Sequence, residues 1–138
     1  MITIKKQEIV KLEDVLHLYQ AVGWTNYTHQ PEMLEQALSH SLAMYLAFDG
    51  DAVVGLIRLV GDGFSSVFVQ DLIVLPIYQR QGIGSLLMKE ALKDYKDAYQ
   101  VQLVTEETES TLGFYRSMGF ETLSTYDCTG MIWVNKEK

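Results

Sequence analysis

The chain has 138 residues, of which 48% are hydrophobic, and this predicts one domain with its own hydrophobic core. Its formal net charge is −7 and its lysines and arginines form no cluster, which argues against nucleic-acid binding. The sequence has no long apolar run and no secretory leader pattern, so we expect no membrane span. With one cysteine (Cys128) and three histidines, we expect no structural zinc site. The single cysteine also predicts a reducing cytoplasmic location.

The first forty residues predict one strand and two helices. Ile2 and Ile4 alternate with polar residues, which favours a short strand. Between Lys11 and Val22 the apolar residues fall on one helical face, and Gly23 is a typical stop. Pro31 then fits the first turn of a second helix.

Two large aromatic residues, Trp24 and Tyr27, lie between these helices in a predicted loop. One interpretation is that they cap the core. The other is that they form one wall of a pocket for an acceptor substrate, since pockets are commonly lined by aromatic side chains. The sequence alone leaves both open.

Three strands are predicted next. The segments 43–48 and 52–60 are predicted as strands, and Asp49-Gly50-Asp51 between them predicts a hairpin turn. A second turn at 61–63 leads into the strand 66–74. Antiparallel strands therefore bring the chain to the residues that follow Pro76.

Gly82 and Gly84 mark a tight turn after this strand. Glycine lets the backbone come close to a ligand, and a helix that begins here adds free amide groups and the positive end of its dipole. The combination predicts a phosphate site made of backbone, although an ordinary strand–turn–helix has the same pattern. A dinucleotide fingerprint would need a third glycine where Leu87 stands, and no Walker sequence is present. The apolar residues of the helix recur four apart, at Ile83, Leu87, Ala91 and Tyr95.

The last part of the chain predicts a strand, a helix and two more strands. The strand 101–105 follows a helical crossover and should pair parallel to the strand 66–74. A helix over 110–118 ends at Gly119. Apolar residues at 120–123 and 131–134 predict two closing strands.

Two motifs resemble a known family. Gln79-Arg80-Gln81-Gly82-Ile83-Gly84 resembles the Q/R-x-x-G-x-G/A signature of the GCN5-related N-acetyltransferases (GNAT), and the segment 113–120, GFYRSMGF, resembles their second motif. The predicted order of elements is also similar over nearly the whole chain. The resemblance implies a single GNAT domain over 1–138. Its fold would be α/β: a mixed, mostly antiparallel central sheet with one parallel, splayed pair of strands, flanked by helices.

Three shorter segments resemble one branch of this family, which includes plastid and bacterial amine or lysine acetyltransferases. They are 19–24 (YQAVGW), 71–84 and 130–133. A homodimer, which is common in the family, is one possible assembly of this chain, and the sequence leaves the oligomeric state open.

The resemblance implies acetyl-CoA as cosubstrate and no metal. In the family, the pantetheine arm pairs with a bulged strand like an added β-strand, and loop amides hold the pyrophosphate. A backbone N–H near Leu72 or Ile73 would polarise the thioester carbonyl. The cofactor-binding residues implied are Leu72, Ile73, Val74, Gln79, Arg80, Gln81, Gly82, Ile83, Gly84 and Ser85.

For proton transfer the resemblance implies Tyr115 as the acid that protonates the leaving thiolate. Asp71, a carboxylate in an apolar strand, is the first candidate for the base, with a structural acceptor of N–H groups as the alternative. Glu106 and Glu107 could act through water. Thr108 stands where many family members have an asparagine that contacts the cofactor, which puts that contact in question.

The resemblance and the acidic surface together imply a primary amine, either a small molecule or a protein lysine or N-terminus, as acceptor. Trp24, Tyr27 and Arg58 are the candidate substrate-binding residues. A domain that binds acyl-CoA without catalysis, to regulate a partner, is the alternative function.

Overall fold

Five strands form one sheet, and their order in the sheet is that of the chain: β1 (Ile2–Gln7), β2 (Ala43–Asp49), β3 (Ala52–Gly61), β4 (Ser66–Val74) and β5 (Gln100–Leu103). The computed structural model describes residues 1–135. Strands β1 to β4 are antiparallel neighbours, and β5 pairs parallel to β4. The mixed sheet predicted from the sequence is therefore confirmed.

Helices occupy two of the four connections between consecutive strands, β1–β2 and β4–β5. The segment predicted as a loop around Tyr27 instead holds a single helical turn, in which the N–H of Thr28 donates to the Trp24 carbonyl. No helix within residues 1–135 combines the length and apolarity needed to cross a bilayer. The helices are α1 (Leu12–Ala21), α2 (Thr25–Thr28), α3 (Pro31–Ser39), α4 (Ile83–Asp94) and α5 (Glu109–Ser117), and 3₁₀ turns span Pro76–Tyr78 and Leu123–Tyr126.

The chain divides into two compact units, residues 1–103 and 104–138. In the first unit, α1 and α3 cover one face of the sheet, where Leu18 and Leu34 are fully buried against Leu56. Helix α4 packs on β2 and β3. A Cβ at Gly55 would lie 2.9 Å from the Ile73 carbonyl oxygen and 3.3 Å from Leu87, so the absence of a side chain allows this close approach.

The second unit contains α5 and, within the described residues, no strand. The strands predicted at 120–123 and 131–134 are therefore wrong. Backbone groups near the first segment bond locally: the N–H of Phe120 donates to the Tyr115 carbonyl, and that of Cys128 to the Leu123 carbonyl. The second segment is apolar but exposed, with Trp133 85% accessible. Strand propensity describes a side chain that fits a pleated surface and does not supply a neighbouring strand.

Candidate functional site

Strand β4 contains a bulge next to its pairing with β5. Arg58 of β3 lies opposite Asp71, but Leu59 lies opposite Val69, so Gln70 is one extra residue in β4. The bulge that the family resemblance implied is thus present. A bulge bends its strand and interrupts the regular pairing.

The parallel pairing of β4 and β5 stops just before this bulge. In the described chain, the last residue pair is Val69 with Leu103. The remainder of β4 continues to Val74 and, among the strands of residues 1–135, is paired only with β3. The edge at 71–74 therefore offers backbone groups to an extended ligand, and this segment includes the predicted residues Leu72, Ile73 and Val74.

The loop after β4 is tied to the strand that precedes it. Gln79 donates from Nε2 to the Val74 carbonyl at 3.0 Å. The Tyr78 hydroxyl donates to Asp49 Oδ2 at 2.6 Å, at the end of β2. These bonds hold the 3₁₀ turn of 76–78 beside the sheet and fix where the glycine loop starts.

Two left-handed residues shape the glycine loop itself. Arg80 has φ of 65° and Gly82 has φ of 81°. A left-handed conformation is uncommon for a residue with a Cβ, so its presence at Arg80 indicates that the loop geometry is specified by its surroundings. Alternating turns of this kind direct successive N–H groups to one side, which makes an anion-binding concavity.

Helix α4 begins directly after Gly82. The first amides of a helix have no partner within it, and they include those of Gly84 and Ser85. Burial of Ile83 and Leu87 anchors this end of the helix against the sheet. The loop and helix thus bring together all the predicted phosphate-binding residues, at positions 79–85.

Asp71 lies at the centre of a buried polar cluster. Its Oδ2 accepts from Arg58 Nε at 2.7 Å and from the Tyr19 hydroxyl at 2.8 Å. Its Oδ1 accepts from the Tyr27 hydroxyl at 3.0 Å. Asp71 is 2% exposed and Arg58 4% exposed. We call these four residues (Tyr19, Tyr27, Arg58 and Asp71) the Asp71 cluster.

The remaining groups of the cluster are also bonded. Arg58 donates from Nη2 to the Tyr27 hydroxyl at 3.3 Å and from Nη1 to Ser41 Oγ at 3.3 Å. No buried side-chain nitrogen or oxygen within residues 1–135 lacks a hydrogen-bond partner. Removing one member would therefore leave a buried polar group without its partner.

Electrostatics keep the two tyrosines of the cluster protonated and Arg58 charged. Burial and the neighbouring Asp71 carboxylate raise the pKa of Tyr19, and the same two causes raise the pKa of Tyr27. Burial works against the charge of Arg58, but the Asp71 carboxylate outweighs it and raises the pKa of the guanidinium. At neutral pH both tyrosines are therefore hydrogen donors and Arg58 is charged.

The structure brings three other predicted residues to Asp71 or its neighbours. Tyr27 and Arg58 bond Asp71 directly, and the Trp24 ring lies 6.3 Å from that of Tyr27. Sequence reasoning missed Tyr19. The sequence signals only that a carboxylate predicted inside an apolar strand requires donors, and it does not indicate which hydroxyls supply them.

In the second unit, Tyr115 lies in the last turn of α5 and its ring contacts those of Phe114 and Phe120 at 5.0 and 6.0 Å between centroids. Burial raises the pKa of the Tyr115 hydroxyl, although a hydrogen bond with the side chain of Thr105 opposes this rise. The phenol is thus protonated at neutral pH, as an acid must be.

Thr108 is the N-cap of α5, and its hydroxyl accepts from the N–H of Thr111 at 3.2 Å. The Thr108 hydroxyl therefore caps the start of α5, at the position where many members of the family it resembles have an asparagine.

Comparison with known proteins identifies the family. A family model described as an acetyltransferase (GNAT) domain matches residues 6–134. The structure is similar to that of a GNAT-family acetyltransferase from Streptococcus pneumoniae TIGR4, with a TM-score of 0.92 and 84% identity over 99% of each chain. The PaiA N-acetyltransferase of Thermoplasma acidophilum, solved in complex with coenzyme A, has a TM-score of 0.67 at 20% identity over 86% of this chain and 90% of that one, which supports the fold alone.

A curated relative gives the same family from sequence. GCN5-related N-acetyltransferase 1, chloroplastic, of Arabidopsis thaliana is 26% identical over 134 residues, or 95% of this chain. The chain spans 66% of the length of that relative, just under two thirds. Because the family model covers nearly all of the described residues, this chain belongs to the GNAT family of acetyltransferase enzymes.

Proposed function

We propose that the chain transfers an acetyl group from acetyl-CoA directly to a primary amine. The observation that carries this proposal is the open edge of β4 after the Gln70 bulge, followed by the left-handed turns at Arg80 and Gly82 where α4 begins. An extended strand edge and an anion site of backbone amides match the two parts of coenzyme A, its amide-containing arm and its pyrophosphate.

In the proposed complex the pantetheine arm pairs with the backbone of 72–74. The pyrophosphate accepts from amides of the segment 79–85, with the guanidinium of Arg80 near its charge. A backbone N–H near Leu72 or Ile73 donates to the carbonyl oxygen of the thioester as negative charge develops there.

The reaction joins the amine nitrogen to the carbonyl carbon and breaks the carbon–sulfur bond. The thiolate leaves with the bonding electron pair and takes a proton from the Tyr115 hydroxyl, which then regains one from solvent. The raised pKa of Tyr115 supports this role, since the hydroxyl enters the reaction protonated.

The amine must lose a proton, because a free alkylamine with a pKa of about 10 is mostly charged at neutral pH. Asp71 as this base stays a prediction, and its oxygens already accept three hydrogen bonds. Glu106 and Glu107, acting through water, are the other predicted bases.

The acceptor we propose is a small amine or a protein lysine or N-terminus. The net charge of −7 supports a cationic substrate. The same proposal includes a cytoplasmic location, which the sequence predicts, and a homodimer, which is common in the family. The exposed thiol of Cys128 is compatible with a reducing compartment.

Two measurements on the purified protein test this function. The first is calorimetric titration with coenzyme A. The second is the release of free thiol from acetyl-CoA in the presence of tryptamine, spermidine or N-α-acetyl-lysine. We expect binding and amine-dependent thiol release. Binding with no transfer to any amine would favour the regulatory module, and absence of binding would contradict both functions.

A further inference from the structure

The Asp71 carboxylate is buried among its hydrogen-bond donors, which hinders its access to a substrate proton. It faces Arg58 from β3, Tyr19 from α1 and Tyr27 from α2, and all three donate to it. With 2% of its surface exposed, it is shielded from an amine by these three side chains. This arrangement places Asp71 to orient the three side chains that donate to it.

The accessible member of the Asp71 cluster is Tyr27. Its ring is half-buried, and its hydroxyl proton is directed to Asp71 Oδ1. The phenolic oxygen is therefore left as an acceptor. It receives only two long bonds, from Arg58 Nη2 at 3.3 Å and from the exposed Gln70 Nε2 at 3.4 Å.

The acceptor face of Tyr27 lies next to the open edge of β4. Gln70 is the bulged residue itself, and Asp71 follows it in the segment that β5 leaves unpaired in the described chain. A ligand donor that displaced the Gln70 amide would thus be close to the proposed acyl arm. An amine or ammonium N–H is such a donor, and the nearby Trp24 ring supplies a face that attracts a cation.

We propose that the Tyr27 hydroxyl oxygen binds the N–H of the acceptor amine, and that Asp71, held by Arg58 and Tyr19, is a positioning residue that fixes this hydroxyl rather than the general base. This inference rests on the proposed N-acetyltransferase function. It deepens that function by naming the group that contacts the amine, and it adds Tyr19 and Gln70 to the acceptor side of the site.

The test compares Tyr27→Phe and Asp71→Asn with a matched control, Tyr45→Phe. The Tyr45 hydroxyl also donates to a carboxylate, Asp94 Oδ2 at 2.6 Å, but it lies outside the Asp71 cluster. For each protein we would measure KM and kcat for the amines named above, the pH profile of kcat/KM, and calorimetric binding of tryptamine to the coenzyme A complex. Thermal unfolding and coenzyme A affinity identify a variant that is simply misfolded.

We expect Tyr27→Phe to raise the amine KM or Kd by about 5- to 20-fold, the value of one hydrogen bond to a substrate, with acetyl-CoA KM and kcat changed less than about threefold. Asp71→Asn should raise the amine KM similarly and keep the acidic limb of the pH profile. Tyr45→Phe should match the wild type.

Two results would overturn the inference while leaving the enzyme function intact. One is an active Tyr27→Phe with unchanged amine KM and Kd. The other is loss of the acidic limb in a folded Asp71→Asn, which would make Asp71 the base. If the wild type binds tryptamine through Tyr27 yet transfers nothing, the binding inference stands and the proposed catalysis fails. If it neither binds nor acetylates any of the amines, both are contradicted.

Discussion

The edge of β4 and the buried face of the same strand contribute to the proposed site in different ways. The edge and the loop after it are built from backbone: an unpaired strand segment at 71–74 and left-handed turns at Arg80 and Gly82. The buried face is built from side chains, with Asp71 bonded to residues 52, 44 and 13 positions away in sequence. A backbone site can be held by one local motif, whereas a side-chain cluster depends on the whole fold.

The Asp71 cluster should be most sensitive to a substitution at Arg58. Arg58→Met removes the charged partner of a buried carboxylate, and we expect a loss of about 3–5 kcal/mol in the free energy of unfolding, because the Asp71 charge is left buried and uncompensated. Chemical denaturation measures the loss. The matched control is Arg116→Met, which breaks a half-exposed pair with Glu121 at 3.2 Å and should cost less than about 1 kcal/mol. Equal, small losses at both sites would mean that the cluster is not a stabilising unit.

A substitution at Tyr115 separates catalysis from coenzyme A binding. Tyr115→Phe should lower kcat by about 10- to 1000-fold, since the thiolate loses its proton donor, while coenzyme A affinity stays nearly constant. Steady-state kinetics and calorimetry measure the two effects. Tyr126→Phe, at an exposed tyrosine in the same unit, should behave like the wild type. A Tyr115→Phe protein with normal turnover would remove the acid role.

Alkaline pH tests whether the cluster holds its hydroxyl protons. An unfolded tyrosine ionises near a pKa of about 10, whereas burial and Asp71 raise the pKa of Tyr19 in the folded chain. This contribution to stability is therefore complete below about pH 10 and is lost as the pH rises further. Between wild type and Tyr19→Phe, the slopes of unfolding free energy against pH should differ by about 1.4 kcal/mol per pH unit above pH 10, measured by urea denaturation. Parallel slopes would contradict the buried donor.

The smallest expected effect is that of Arg80, the one charged residue of the loop 76–82. Arg80→Gly removes the guanidinium, and glycine accepts the φ of 65° at that position without strain. Coenzyme A Kd should rise by about 3- to 10-fold at low salt and by less at high salt, because an exposed charge is screened. Lys89→Ala, an exposed cation on α4, is the control. A loss of binding much larger than this would mean that the side chain, and not the backbone, holds the phosphate.

Much of the fold was predictable because its signals are local. Strand β4 begins and ends where the sequence predicts, and Pro31 and Gly82 mark the starts of α3 and α4. The strands predicted at 120–123 and 131–134 failed because a strand needs a partner, and apolar composition does not supply one.

The candidate site also has one part that the local sequence predicts and one part that it does not. The glycine motif predicts the phosphate loop, since only particular residues allow that backbone. The Asp71 cluster could be anticipated only as an unpaired acid in an apolar strand. Which hydroxyls reach Asp71 depends on how α1 and α2 pack on β4, so Tyr19 could not be assigned from local patterns.

The most direct test of the central claim is the response of individual backbone amides to coenzyme A, measured by ¹⁵N–¹H NMR titration of the whole chain. We predict that the largest shifts fall in two segments, 72–74 and 80–85, and that the amides of β1 and β2 remain unchanged. Saturable binding that leaves both segments unperturbed and shifts amides elsewhere on the sheet would contradict the proposed site.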